Sequence, residues 1–237
     1  MAGRFELKYL VDTRLQLALG QLMRTHMLKG EFAMEDGTYH VLSQYYDGPG
    51  LPFYFDKLDG LESRVKVRLR TYGLRFGPDA PWFLELKRKQ NSAISKVRIE
   101  VEPGTIDPSD PGSWKAIRDP RIGAYLAARD LMQLEPTAQV WYQREALASA
   151  DDRLRITWDT TIRALFPGEA MDRSMLYDAE RTAVPDRYAI LEIKSPQTFP
   201  HWLTELIQRA SLVPESISKY VHAVNALGLS RRVLATC

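Results

Sequence analysis

The segment Arg64–Arg70 constrains the fold of this chain more than any other feature, because every second residue in it is a cation. Side chains alternate between the two faces of a β-strand. If the segment is a strand, its cations share one face, and the intervening Val65, Val67 and Leu69 share the other. Like charges at a spacing of roughly 7 Å repel one another, so such a strand needs a partner that neutralises its charged face.

Further segments show the same alternation, with Arg, Lys or Glu on one face and apolar residues on the other. They are Arg4–Tyr9, Phe83–Lys89, Lys96–Glu102, Arg153–Asp159 and Leu191–Lys194. Each segment alone is typical of a sheet with one dry and one solvated face, since Arg, Lys and Glu are mostly exposed. Their repetition favours a closed barrel in which apolar side chains face outward beneath helices and the charges line the interior.

Charges inside a barrel are costly unless something neutralises them. A chain of phosphates with bound Mg²⁺ or Mn²⁺ would do so, because cations bind the phosphate oxygens and carboxylates bind the metal. The segment Ser216–Tyr220 adds a second indication, since it falls in the first turn of a predicted helix. A cation and free backbone N–H groups at a helix N-terminus form an anion site.

Periodicity gives the secondary structure. Period-two alternation predicts strands near 3–11, 38–47, 53–58, 62–72, 81–90, 94–102, 139–147, 153–159, 161–166 and 187–194. Helical spacing predicts helices that begin at Asp12 or Thr13, that cover 113–132 and 198–212, and that begin at Pro214. No repeat or linker divides the chain, so we expect one domain over 1–237. The predicted fold is α+β: a closed antiparallel β-barrel with flanking helices.

Composition and missing motifs exclude several classes of function. The formal net charge is only +2, and the aromatic residues mostly alternate with charges, so we expect no nucleic-acid partner. The sequence has no Walker-type loop, no GxSxG motif and no Cys/His cluster typical of zinc. Its one cysteine, Cys237, forms no internal disulfide, and no signal peptide or membrane-spanning run is present, so we expect a cytoplasmic protein.

Short motifs along the chain carry a family resemblance. They are Arg4–Tyr9, Ser43–Asp47, Val67–Tyr72, Glu85–Lys87, Ser95–Arg98, Tyr142–Arg144, Leu191–Lys194 and Ser218–Tyr220. In this order they make the chain resemble the VTC domain, the polyphosphate polymerase domain of the vacuolar transporter chaperone complex, among the triphosphate tunnel metalloenzymes. The resemblance runs from residue 4 to residue 222 and covers nearly the whole chain.

The resemblance implies a tunnel-shaped β-barrel that is open at both ends. It implies phosphate contacts from Lys8, Arg68, Arg70, Lys87, Lys96, Arg144, Ser218 and Lys219, and it implies that Glu192 holds a metal ion. The first strand of the wider superfamily reads Glu-x-Glu-x-Lys, whereas this chain has Arg4, Glu6 and Lys8. One carboxylate is therefore missing, Glu6 stays as a second candidate metal ligand, and the polymerase branch is favoured over a hydrolase.

The leading hypothesis is a Mg²⁺- or Mn²⁺-dependent phosphotransferase that moves the γ-phosphoryl group of a nucleoside triphosphate onto a polyphosphate chain. The predicted catalytic residues are Arg68, Arg70, Lys87 and Arg144. Arg68, Arg70 and Lys87 are expected to hold the donor phosphates. Lys8, Arg144 and Lys219 are expected to hold the product chain or the acceptor.

Three other interpretations are open from the sequence. A hydrolase of the same fold would activate water with Glu6 or Glu100. A sensor would bind polyphosphate or inositol polyphosphate without turnover, and an ordinary barrel would merely have a solvated charged face. Eukaryotic polymerases of the family work inside a membrane complex, so we expect a separate membrane-protein partner that receives the product.

Overall fold

The computed structural model describes residues 5–29, 37–73, 80–91, 93–169, 173–196 and 198–234. The strands are β1 (Phe5–Asp12), β2 (Leu28–Lys29), β3 (Thr38–Asp47), β4 (Arg64–Tyr72), β5 (Trp82–Gln90), β6 (Ala93–Val101), β7 (Glu135–Ala148), β8 (Arg155–Leu165) and β9 (Tyr188–Ser195). The helices are α1 (Thr13–Arg24), α2 (Pro52–Leu58), α3 (Gly123–Met132), α4 (His201–Arg209), α5 (Lys219–Ala226) and α6 (Leu229–Leu234). Arg4 and the start of the predicted strand 3–11 lie outside the described residues.

The strands form one sheet in the order β1-β9-β8-β7-β3-β4-β5-β6, and β2 pairs with β7. The α+β class with an antiparallel sheet and flanking helices is confirmed. The prediction of a closed barrel is wrong, because β1 and β6 end the strand order and no pairing in the described part of the chain joins them. At Lys8 the carbonyl oxygen of β1 accepts a hydrogen bond from the backbone N–H of Glu215 at 2.8 Å, so the segment before α5 covers this edge instead.

The chain divides into two compact units. Unit 1 comprises residues 1–40, 142–162 and 184–218, and unit 2 comprises 41–141, 163–183 and 219–237. Because β3, β7 and β8 each contribute to both units, the division does not follow the order of the elements.

The core of unit 1 lies between one face of its strands and the helices α1 and α4. Its buried side chains include Tyr9, Val11, Leu19, Met23, Ile156, Trp158, Leu191, Ile193 and Leu203. Helix α1 starts where the sequence predicts, because the Asp12 carboxylate accepts a hydrogen bond from the Arg14 N–H at 2.9 Å. The face of β1 and β9 that carries Glu6, Lys8 and Glu192 is opposite this core.

The core of unit 2 is built on the apolar face of β4, β5 and β6. It includes Val67, Leu69, Leu84, Leu86, Ile99, Val101, Trp114 and Tyr125. The Tyr125 hydroxyl, on α3, accepts a hydrogen bond from the Leu86 N–H at 3.1 Å and donates to the Val97 carbonyl at 2.6 Å. Helix α3 is thereby fixed to the centre of this face, and the charged side chains of β4–β6 occupy the other face.

Several element boundaries differ from the predictions. The segment 53–58 is helix α2 rather than a strand, and the predicted strands 153–159 and 161–166 are the single strand β8. The predicted helix over 113–132 is regular only in α3, after 3₁₀ turns that begin at Pro111 and Pro120. The helix predicted to begin at Pro214 is α5, which begins at Lys219, since Glu215 in the preceding segment bonds to the edge of β1 at Lys8.

Candidate functional site

The charged side of β3–β6 in unit 2, here called the cationic face, collects side chains from four strands. Register pairs Tyr45 with Arg68, Arg68 with Glu85, and Glu85 with Arg98 across the sheet. By the alternation of side chains, the same face carries Arg64, Lys66, Arg68, Arg70, Lys87, Lys89, Lys96 and Arg98 against the carboxylates Glu85 and Glu100. Cations therefore predominate on this surface, although the net charge of the chain is small.

Three lysines stand side by side on the cationic face. Lys66 is directly opposite Lys87, and Lys87 is directly opposite Lys96. Directly paired residues have Cβ atoms about 4.5–5.5 Å apart, and like charges in such pairs are destabilising. This lysine row is the arrangement that an anionic ligand lying across the strands would stabilise.

Glu85 is the carboxylate around which the neighbouring cations gather. Its side chain is 3% exposed, and it accepts a hydrogen bond from Arg68 Nε at 2.7 Å. Lys96 Nζ lies 2.9 Å from its other oxygen, and Arg98 Nε lies 3.8 Å away. Burial raises the pKa of Glu85, but Arg68, Arg70 and Lys96 together hold that pKa far below its ordinary value. Glu85 therefore positions cations and is a poor base for activating water.

Arg70 and Arg98 are each held in place by a neighbour on the same face. The buried Arg70 donates from Nε to the Ser43 hydroxyl at 3.1 Å. The Arg98 guanidinium carbon lies 3.9 Å from the centre of the Phe83 ring, a cation–π contact. Both guanidinium groups are thus oriented before any ligand arrives.

Tyr45, on β3, is 3% exposed and faces the cations of β4. Its hydroxyl accepts a hydrogen bond from Arg68 Nη1 at 3.2 Å, and Lys66 Nζ lies 5.7 Å from the ring centre. Burial raises the pKa of this phenol, but the charges of Arg68, Lys66 and Arg70 outweigh burial and lower the pKa to about 7.

Asp47 connects β3 to the helices α2 and α5. Its carboxylate accepts hydrogen bonds from the N–H groups of Gly48, Phe53 and Tyr54 at 2.8, 2.9 and 3.1 Å. The Tyr220 hydroxyl donates to the same carboxylate at 2.6 Å. Because the Tyr220 ring also stacks on Tyr45 with centres 5.1 Å apart, the first turn of α5 packs against the cationic face. Lys219, the first residue of α5, is half-buried there.

The charged face of unit 1 pairs opposite charges across strands. Glu6 is opposite Lys194, and Lys8 is opposite Glu192. Within each strand the ammonium also reaches the neighbouring carboxylate, with Lys8 3.4 Å from Glu6 and Lys194 2.5 Å from Glu192. Both carboxylates are thus balanced by lysines in the ligand-free protein.

Arg144 forms a buried ion pair in unit 1. Its Nε and Nη2 donate to the two oxygens of Asp159 at 2.6 and 2.8 Å. Burial alone would lower the pKa of Arg144, but the Asp159 charge holds that pKa above its ordinary value. The guanidinium predicted to contact phosphate is therefore oriented by a bidentate carboxylate partner.

The VTC domain family model matches residues 3–228, which is nearly the whole chain. The chain belongs to the VTC domain family. A curated relative is the vacuolar transporter chaperone complex subunit 4 of Schizosaccharomyces pombe, with 27% identity over 86% of this chain and 34% of the relative. This chain thus spans about a third of the length of that relative.

A solved structure resembles the fold of this VTC domain. A proposed adenylate cyclase from Bacillus halodurans superposes with a TM-score of 0.51 at 13% identity, and the match covers 91% of this chain and 95% of that one. The PH1819 protein from Pyrococcus horikoshii OT3 matches with a TM-score of 0.47 at 15% identity over 97% and 100% of the two chains. In the described part of this VTC domain, no helix is long and apolar enough to cross a membrane.

The donor set for a metal ion in this VTC domain is small. Among the described residues, no three His, Cys, Asp or Glu side chains form a group that could hold a metal. Glu6 and Glu192 are diagonal neighbours across β1 and β9, and the buried Thr157 hydroxyl opposite Glu192 lacks a hydrogen-bond partner in the described structure. Mg²⁺ is commonly held by one or two carboxylates, with phosphates and water as the other ligands. The residues present fit that mode of binding.

The structure brings part of the predicted site together. Arg68, Arg70, Lys87 and Lys96 share the cationic face, and Lys219 starts the helix that packs on it. Lys8, Arg144, Glu6, Glu192 and Ser218 belong to unit 1. Sequence reasoning assigned no site role to Lys66, Arg98 or Tyr45. The alternation placed Lys66 and Arg98 on charged faces, but only the register shows which side chains are directly opposite each other.

Proposed function

We propose that this VTC domain is a phosphotransferase that moves the γ-phosphoryl group of a nucleoside triphosphate onto the end of a polyphosphate chain. The observation that carries the proposal is the lysine row of unit 2, together with the guanidinium groups of Arg68, Arg70 and Arg98 beside it. Donors already oriented by Ser43, Glu85 and Phe83 are suited to binding several phosphates at once.

The chemistry requires little of the protein beyond position and charge. A terminal phosphate oxygen of the acceptor attacks the γ-phosphorus, the bond from that phosphorus to the β–γ bridging oxygen breaks, and a nucleoside diphosphate leaves. The acceptor oxygen is already anionic, so no side chain has to remove a proton. Arg68, Arg70 and Lys87 are assigned to the donor phosphates, where they neutralise charge that spreads over the transferred group.

Most of the remaining residues proposed to bind phosphate or metal belong to unit 1. Lys8, Arg144 and Ser218 are proposed phosphate contacts, and Lys219 has the same role in unit 2. Glu192, with Glu6, would hold Mn²⁺ or Mg²⁺, which when bound neutralises phosphate oxygens. Glu192 and Glu6 each lie against a lysine, so those lysines are positioned to turn to phosphate oxygens when the carboxylates take a metal.

A protein partner is part of the proposal. The relative from Schizosaccharomyces pombe is named as a subunit of a complex. We infer that this chain works beside a membrane protein that receives the product. Affinity purification from detergent-solubilised membranes should recover such a protein together with this chain, and recovery of this chain alone would contradict the inference.

The direct test of the activity is chain growth. The protein is incubated with ATP labelled at the γ-phosphate and with Mn²⁺, and the products are separated by length on a gel. We expect chains longer than the donor triphosphate. Lys87→Ala should lower their yield by about 10²-fold, because a charge-stabilising donor is lost. Lys115→Ala is the matched control, since Lys115 is exposed and lies outside the cationic face.

Two outcomes would contradict the proposal. Release of orthophosphate without chain growth would indicate the hydrolase. Tight binding of polyphosphate with no turnover, unaffected by a chelator, would indicate a sensor.

A further inference from the structure

Tyr45 lies on β3, beside the cations of β4 on the cationic face, yet neither the sequence motifs nor the proposed mechanism gives it a role. It is directly opposite Arg68 on the neighbouring strand. Its ring is fixed by stacking on Tyr220, with centres 5.1 Å apart and planes inclined at 30°. A buried, immobilised phenol among cations is an unusual way to fill space in a sheet.

The Tyr45 hydroxyl accepts a hydrogen bond but donates none in the described part of the chain. Its oxygen accepts from Arg68 Nη1 at 3.2 Å. In the part of the chain that the structure describes, no acceptor for the hydroxyl hydrogen is present. A buried donor without an acceptor costs about 1–3 kcal/mol. The Tyr45 hydroxyl hydrogen therefore lacks an acceptor atom, and the neighbouring Arg68 side chain is 20% exposed.

We propose that Tyr45 is a further phosphate-binding residue, whose hydroxyl donates a hydrogen bond to a phosphate oxygen that Arg68 also holds. This inference rests on the proposed function, since it takes a chain of phosphates as the ligand of the cationic face. It adds a neutral donor beside the guanidinium and ammonium groups.

The proposed contact predicts that Tyr45 takes up a proton when phosphate binds. Strand β4 faces the phenol with Lys66, Arg68 and Arg70, and β5 contributes Glu85, which binds Arg68. On α5, Tyr220 directs its own hydroxyl to Asp47, and on β3, Ser43 accepts from Arg70. Without ligand these cations lower the pKa of Tyr45 to about 7. A bound phosphate neutralises them and accepts from the neutral phenol, so the pKa rises toward its ordinary value of about 10.

The test is calorimetric binding of tripolyphosphate in two buffers of different ionisation enthalpy. At about pH 8 the free phenol is mostly ionised, whereas the ionisation of tripolyphosphate itself is common to both proteins, so wild type should take up about one more proton than Tyr45→Phe. At about pH 6 the phenol is already neutral, and the difference should vanish. Tyr45→Phe should also bind about tenfold more weakly. Tyr177→Phe, at an 85% exposed position, should behave as wild type.

A second measurement needs no ligand. The ultraviolet absorbance of tyrosinate should rise in one step near pH 7 in wild type and lack that step in Tyr45→Phe. If both proteins bind tripolyphosphate with equal proton uptake, the Tyr45 contact is wrong and the proposed function stands. If wild type shows the absorbance step but binds no tripolyphosphate, both the phosphate site and this inference fail.

Discussion

Glu85 shows at the scale of one residue how the cationic face is held together. Four cations lie close to this carboxylate through β-sheet register: Arg68, Arg70, Lys96 and Arg98. A buried carboxylate that several cations share reduces their mutual repulsion, and its own burial cost is met by hydrogen bonds from Arg68 and Lys96. Glu85 therefore affects both the free energy of unfolding and the affinity of the cationic face for anions.

Replacing this carboxylate gives a prediction with two parts. Glu85→Gln should lower the free energy of unfolding by roughly 3 kcal/mol, at the lower end for a broken buried ion pair because Arg68 and Lys96 are partly solvated. Added tripolyphosphate should stabilise the variant more than wild type, since phosphate then supplies the missing negative charge. Urea denaturation with and without tripolyphosphate measures both effects.

The lowered pKa of Glu85 determines how the stability difference between wild type and Glu85→Gln changes with pH. The pKa of Glu85 is lowered in the folded protein, so its contribution is complete above its ordinary value and is lost as pH falls toward the folded pKa. The difference between wild type and Glu85→Gln should therefore shrink below about pH 4.5. Glu100→Gln, at an exposed position on the same face, is the control, and an equal loss in both variants would contradict this role for Glu85.

Helix α2 shows at the scale of an element what local pattern does not reveal. The residues 53–58 resemble a short strand, with aromatic residues beside charged ones. They form a helix because Pro52 suits its first turn, and because the Asp47 carboxylate accepts from the N–H groups of Phe53 and Tyr54. The capping residue Asp47 is at the end of β3, five residues before Pro52. The residue pattern within 53–58 therefore does not indicate this cap.

The contact between Asp47 and Tyr220 should be measurable on its own. Tyr220→Phe removes the hydroxyl that donates to Asp47 but keeps the ring that stacks on Tyr45. We expect a loss of about 1–3 kcal/mol in the free energy of unfolding, because a buried hydrogen bond to a carboxylate is lost. Urea denaturation measures it, with Tyr177→Phe as the control. An unchanged stability would mean that α5 is held without this bond.

For the whole molecule, the sequence predicted which side chains share one face of a strand better than it predicted which strands are neighbours in the sheet. Strict alternation in β4, β5 and β6 is enough to gather Arg68, Arg70, Lys87 and Lys96 on one surface. Alternation says nothing about which strands meet at the ends of a sheet, so closure into a barrel was not predictable from it. The edge of β1 bonds instead to Glu215, a residue in a segment without regular structure.

The limits of sequence reasoning are similar within the site. The Arg144–Asp159 pair joins residues on different strands, and the motif Tyr142–Arg144 contains no sign of this carboxylate. Tyr45 was part of a recognised motif, but its low pKa depends on Lys66, Arg68 and Arg70 on the neighbouring strand. Both properties arise from the arrangement of strands and not from the residues of one segment.

The lysine row of unit 2 is proposed to bind a chain of phosphates, and the calorimetric affinity of its variants for tripolyphosphate tests this binding. Lys66→Ala, Lys87→Ala and Lys96→Ala should each weaken binding about tenfold or more, since each removes a charge-assisted contact, and Lys115→Ala should leave it unchanged. If all three variants of the lysine row bind tripolyphosphate as wild type does, the lysine row is only a solvated surface and the proposed site is wrong.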